Sequence, residues 1–89
     1  MRASKDFILR QIADEYILVP IGQAAARFNG LISTNEIGHF IFQALAQETT
    51  EDQVVNQIIA EYDVDRTTAQ TDLRDFLRQL RDLGALIED

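Results

Sequence analysis

The chain has no cysteine, no tryptophan, one proline, one histidine and one lysine. Without cysteine there is no disulfide scaffold, no thiolate zinc site and no cysteine nucleophile. A lone histidine, His39, is too few for a metal centre, which needs several ligands at suitable spacing, and no cofactor is expected. No glycine-rich phosphate loop, P-loop or GxSxG pattern occurs. No apolar run approaches the ~20 residues that span a bilayer. The first residues, Met1-Arg2-Ala3-Ser4-Lys5-Asp6, lack the apolar core of a secretory signal. These absences predict a cytoplasmic protein with no membrane contact. Basic charge is also scarce: eight Lys and Arg stand against fifteen Asp and Glu, a net charge of −7. Nucleic-acid binders neutralise phosphates with cations, so this balance disfavours a polyanion partner.

Carboxylates are plentiful, but abundance is not a site. Asp72, Asp75 and Asp82 fall on the outward arc of a predicted helix, whereas a paired-carboxylate acid/base site needs a cleft to shift its pKa values. His39 lies opposite the apolar stripe of another predicted helix and reads as a solvated residue. The expectation is that the protein is not an enzyme.

What is present is an ordinary globular composition, 46% hydrophobic and 26% charged over 89 residues, enough for a single domain spanning residues 1–89. The first third reads as strands. Phe7–Ile12 and Tyr16–Ile21 are rich in β-branched and aromatic residues. Between them Ala13-Asp14-Glu15 suits a hairpin, with Asp14 able to take a left-handed conformation. Asn29-Gly30 is the strongest turn signal in the chain, which predicts a strand over Ala24–Phe28 returning as Leu31-Ile32-Ser33.

The remainder reads as three helices. Thr34-Asn35 caps the first, with Ile37, Phe40, Ile41, Ala44 and Leu45 as its stripe. Thr50 and Gln53 form a capping box for the second, lined by Val54, Val55, Ile58, Ile59 and Tyr62. Asp65 caps the third, striped by Ala69, Leu73, Phe76, Leu77, Leu80 and Leu83, and Gly84 stops it. Ala85-Leu86-Ile87 can add a short terminal strand. The predicted fold is α+β: a small antiparallel three- to four-stranded sheet followed by a three-helix bundle.

A small open sheet has an edge, and an edge is a docking rail for an extended peptide. Leu31-Ile32-Ser33 is the last strand and so the predicted edge. On the third helix Gln70, Arg74, Leu77 and Arg81 share one flank of the stripe, and Asp72, Asp75 and Gln79 the other. The arginine flank is either a solvated face or a groove wall for a partner's acidic groups.

Several segments, in order along nearly the whole chain, carry a family resemblance. They are Phe7–Ile12, Glu15–Gly22, Phe28-Asn29-Gly30-Leu31-Ile32, Asn35-Glu36-Ile37-Gly38, Glu61-Tyr62-Asp63-Val64 and Leu80-Arg81-Asp82-Leu83-Gly84. Together they resemble the PqqD family. The resemblance implies a three-stranded sheet on three helices, similar to a winged helix-turn-helix. It further implies recognition of the leader segment of a ribosomally made precursor peptide, which adds to the third strand and lies against the third helix. The partner enzyme would modify the peptide, and in this family it is often a radical SAM protein. Carried across, the peptide-binding residues are Leu31, Ile32, Ser33 and Thr34 on the strand and Arg74, Leu77, Arg78 and Arg81 on the helix. Thr34 stands where the family usually has leucine. The connection Ile21–Gly30 is longer than in the members that make pyrroloquinoline quinone, which leaves that pathway and related peptide-modification pathways both open.

The leading reading is therefore a non-catalytic module that captures a leader peptide and presents it to a modifying enzyme. The alternatives are a winged-helix DNA-binding transcription factor, against which the charge of −7 argues, and a homodimer joined through the sheet edge.

Overall fold

The computed structural model describes residues 1–27 and 32–88. Their order is β1 (Arg2–Ala3), β2 (Phe7–Ile12), β3 (Glu15–Pro20), α1 (Gln23–Arg27), β4 (Ile32–Thr34), α2 (Glu36–Ala44), α3 (Glu51–Glu61), α4 (Arg66–Leu83) and β5 (Leu86–Ile87). The protein is α+β with antiparallel sheets: β2-β3-β4 form one, and β1 with β5 a separate two-stranded one.

The β2/β3 hairpin closes tightly, since Ile12 pairs with Glu15 across a two-residue turn. The left-handed residue is Ala13 (φ 56°), not the expected Asp14. Strand register then sorts the sheet's faces, because cross-strand partners point the same way. Phe7 pairs with Pro20, Leu9 with Leu18, Leu18 with Ile32 and Tyr16 with Thr34, and this set faces the helices.

The predicted caps form. Asn35 Oδ1 accepts the Gly38 N–H at 2.8 Å. Thr50 and Gln53 bond reciprocally, each at 3.2 Å, and Asp65 accepts the Thr68 N–H at 2.7 Å. Gly84, at φ 70°, ends α4 with the Ala85 N–H on the Leu80 carbonyl and its own N–H on Arg81, the two bonds of a Schellman stop. The apolar stripes of the three long helices meet in one core with Phe7 and Leu18 of the sheet; Ile41, Leu45, Ile58, Leu73, Leu77 and Leu80 are fully buried there.

The strand expected over Ala24–Phe28 fails, and with it the hairpin to Leu31–Ser33, since β4 pairs with β3 instead. Ala24–Arg27 is helical rather than extended. Gly22 turns the chain at φ 58°, and Ala24 is then wholly buried in the core. Five residues hold no helix in isolation; burial of Ala24 against the rest of the protein supplies what local propensity lacks. The sequence therefore adds a fourth, short helix to the three expected. The Asn29-Gly30 turn and Leu31 lie outside the described residues. At the other end, the anticipated terminal strand is β5, and it pairs with β1 instead of joining the larger sheet.

Candidate functional site

β4 is three residues long and last in its sheet, and among the described residues no strand pairs with its outer edge. Its register directs Ile32 and Thr34 toward the helices, opposite Leu18 and Tyr16, and leaves Ser33 exposed. Asn35 ends the strand and caps α2 at the same time, so α2 turns off directly from the edge.

Beside that junction α4 passes close to α2 and leaves a cleft of about 240 Å³. Its walls are Thr34, Asn35 and Gly38 on one side and Asp72, Asp75 and Gln79 on the other, with Phe76 at its base. The volume lies below the ~300–1,000 Å³ of small-molecule pockets and suits one or two side chains. Gly38 makes the close approach feasible. A Cβ there would overlap the Thr34 hydroxyl and lie 3.1 Å from the Phe76 ring.

A second cleft adjoins the first at Thr34 and Asn35, between the hairpin tip and the start of α2. It is bordered by Asp14, Glu15, Tyr16 and Glu36. His39, expected to be solvated, is half-buried and stacks on Tyr16 with ring centroids 4.7 Å apart, tying α2 to β3. Behind it the Tyr62 ring meets Phe40 edge-on. The Tyr62 hydroxyl is held above its usual pKa, first by burial and then by the negative charges of Glu36 and Glu61. No group of three or more His, Asp or Glu among the described residues is arranged to hold a metal.

The sequence-derived residues divide sharply. Ile32, Ser33 and Thr34 lie on the free edge; Leu31 is outside the described residues. Leu77 is wholly buried between Leu73 and Leu80, so it holds α4 in place and cannot line a groove. Two of the three arginines in the row pair outside the cleft. Arg74 approaches Glu51 at the start of α3 (3.8 Å), and Arg81 grips the Glu88 carboxylate through Nε and Nη2 (3.2 and 2.8 Å). Arg78 reaches Asp75 one turn back, at 3.8 Å. None of the three lines the cleft at β4. The flank that does is Asp72, Asp75 and Gln79, visible in the sequence as the opposite side of the same stripe. Asp72 is half-buried there, and its carboxylate has no hydrogen bond or ion pair with any described residue.

The sequence matches the family described as Coenzyme PQQ synthesis protein D (PqqD) over residues 15–86. The chain belongs to the PqqD family. Among solved structures this PqqD-family chain is similar to TbiB1 in complex with the TbiA(beta) leader peptide. The two are 32% identical, the match covers 100% of each chain, and the TM-score is 0.74. It also shares its fold with a lasso peptide synthetase B1 complexed with the leader peptide, at 21% identity over 98% of this chain and 96% of that one, with a TM-score of 0.72. No curated protein sequence matches it significantly. β4 is the third strand of the three-stranded sheet and α4 the third long helix, and the cleft beside the end of β4 lies between α2 and α4. No helix among the described residues is long and apolar enough to cross a membrane.

Proposed function

We propose that this PqqD-family protein binds the leader segment of a ribosomally made precursor peptide and presents it to a modifying enzyme, with no chemistry of its own. The observation that carries the reading is the unpaired edge of β4 running into the cleft between α2 and α4. TbiB1, 32% identical with each chain covered in full, was solved in complex with a leader peptide. The leader adds as a strand along Ile32–Thr34 and then passes into the cleft toward α4. Three residues of edge offer few backbone bonds, each contributing about 0.5–1.5 kcal/mol net. Side chains seated against Thr34, Gly38 and Phe76 must therefore supply much of the affinity. The benefit to the enzyme is local concentration, on the order of millimolar for a tethered substrate.

The sheet with α2, α3 and α4 is read as a winged helix-turn-helix arrangement turned from nucleic acid to peptide, and the acidic clefts at β4 support that choice over phosphate binding. The modifying enzyme, whether of lasso-peptide type or a radical SAM protein, acts in the cytoplasm on the captured precursor.

The test is a titration of the ¹⁵N-labelled protein with the synthetic leader of the precursor gene that neighbours its own. Amide shifts should concentrate in Ile32–Asn35, Gly38 and the Asp72–Gln79 face. Shifts confined to other surfaces, or no binding at all, would sink the reading.

A further inference from the structure

The sign of charge along the proposed peptide path is uniform. Two clefts meet at Thr34 and Asn35, and neither has a lysine, arginine or histidine in its lining. Carboxylates border both: Asp72 and Asp75 from α4, Glu36 from α2, and Asp14 and Glu15 from the hairpin tip. They come from three separate elements that converge on the end of β4. Of the arginines of α4, Arg74 and Arg81 are taken up by Glu51 and Glu88, and Arg78 approaches Asp75 only at 3.8 Å, with both of those side chains well exposed. Asp72 is the member to emphasise. It is half-buried in the cleft wall and its carboxylate has no partner among the described residues, while the chain around it already has a net charge of −7. An acidic peptide would be repelled at long range by the whole protein and again at contact; a cationic side chain would be attracted at both stages.

We infer that the peptide this protein recognises is basic where it leaves β4, with a lysine or arginine seated between Asp72 and Asp75 in the α2/α4 cleft. The inference rests on the leader-binding reading and adds to it the chemical class of the bound segment. It also reverses the expectation, drawn from the arginine row alone, of an acidic partner. A cation at this position gains from the half-buried Asp72 as well as from the exposed Asp75, so its charge should matter more than that of a fully solvated rim pair.

The experiment uses the full chain, immobilised, and a phage library of random 12-residue peptides. Enriched sequences should share a lysine or arginine at one recurrent position. The strongest binder is then resynthesised with that residue changed to glutamate. Affinity should fall by about tenfold or more on the parent and by less than about threefold on the Asp72→Asn/Asp75→Asn protein. Asp75→Lys, a change at an exposed position, provides a second variant and should shift the preference toward acidic peptides. Enriched peptides without a basic position, or a lysine-to-glutamate penalty that is the same on parent and double variant, would overturn the inference and leave leader binding intact. A selection that enriches no peptide at all would overturn both.

Discussion

Gly38, in the first turn of α2, lies directly against the Thr34 side chain at the end of β4, so closely that a Cβ at 38 would overlap the Thr34 hydroxyl. The glycine's backbone is ordinary helix; its value is space. That contact fixes how near the sheet edge comes to α2 and α4, and so the width of the cleft.

Gly38→Ala should therefore disturb the cleft and the edge together. Overpacking of this kind costs about 1–3 kcal/mol, which urea denaturation will read. Leader affinity should fall by about tenfold or more, because Thr34 and the Phe76 ring must both move from the positions that shape the groove. A folded Gly38→Ala protein that binds as the parent does would show that this contact does not set the groove.

Leu77→Ala separates support from recognition. Its side chain is wholly buried, and removal of such a leucine costs about 2–5 kcal/mol. For a domain with a total of roughly 5–15 kcal/mol this is a large loss. Denaturant melts should show the drop, while peptide affinity measured on the folded fraction should change less than about twofold. Loss of binding without loss of stability would mean that Leu77 touches the peptide.

Ala13→Gly should stabilise the hairpin. Ala13 has φ 56°, a left-handed conformation that costs an L-residue about 1–2 kcal/mol. Glycine relieves it, and the greater freedom of the unfolded chain takes back about 0.4–1 kcal/mol. The net gain predicts a Tm increase of a few degrees, on the order of 4–8 °C per kcal/mol for a domain of this size. A lower Tm for the glycine variant would contradict the left-handed turn.

Acidification should weaken the fold in a definite window. The Asp65 carboxyl is held below the usual carboxylate range by its bonds to the Thr68 backbone N–H and side chain. Glu88 is held down by its hydrogen bonds from Arg81. A group whose pKa is lower in the folded than in the unfolded state stabilises the protein above the unfolded value, near pH ~4, and loses that contribution as pH falls through the folded one. Tm should thus decline from about pH 5 downward. The Asp65→Asn protein, whose cap does not titrate, should show a flatter profile below pH ~4. Identical profiles for the two proteins would remove Asp65 as a contributor.

The sequence by itself determined the long helices and their ends, since each signal was local. Asn35, Thr50 with Gln53, and Asp65 cap because their side chains reach amides three residues on; Gly84 stops α4 because it accepts a left-handed φ. It also determined β2 and β3, through their β-branched and aromatic residues and the short turn between them, and the segments that mark the family; a strand near Ile32 was legible too, but not its pairing with β3. Non-local packing decided the rest. Ala24–Arg27 coils because the core buries Ala24, against the extended reading of its neighbourhood. β5 pairs with β1 because the end of α4 delivers it beside the N-terminal segment, where the Ser4 N–H also bonds the Ala85 carbonyl at 2.8 Å. Most consequential is the orientation of α4. Periodicity showed an arginine flank and an aspartate flank on either side of one apolar stripe, and it could not say which faces β4. That choice follows from how the buried stripe of α4 packs between its neighbours: the flank with Gln70 and Arg74 comes to lie beside the start of α3, and the flank with Asp72, Asp75 and Gln79 faces α2 and the end of β4 to form the cleft.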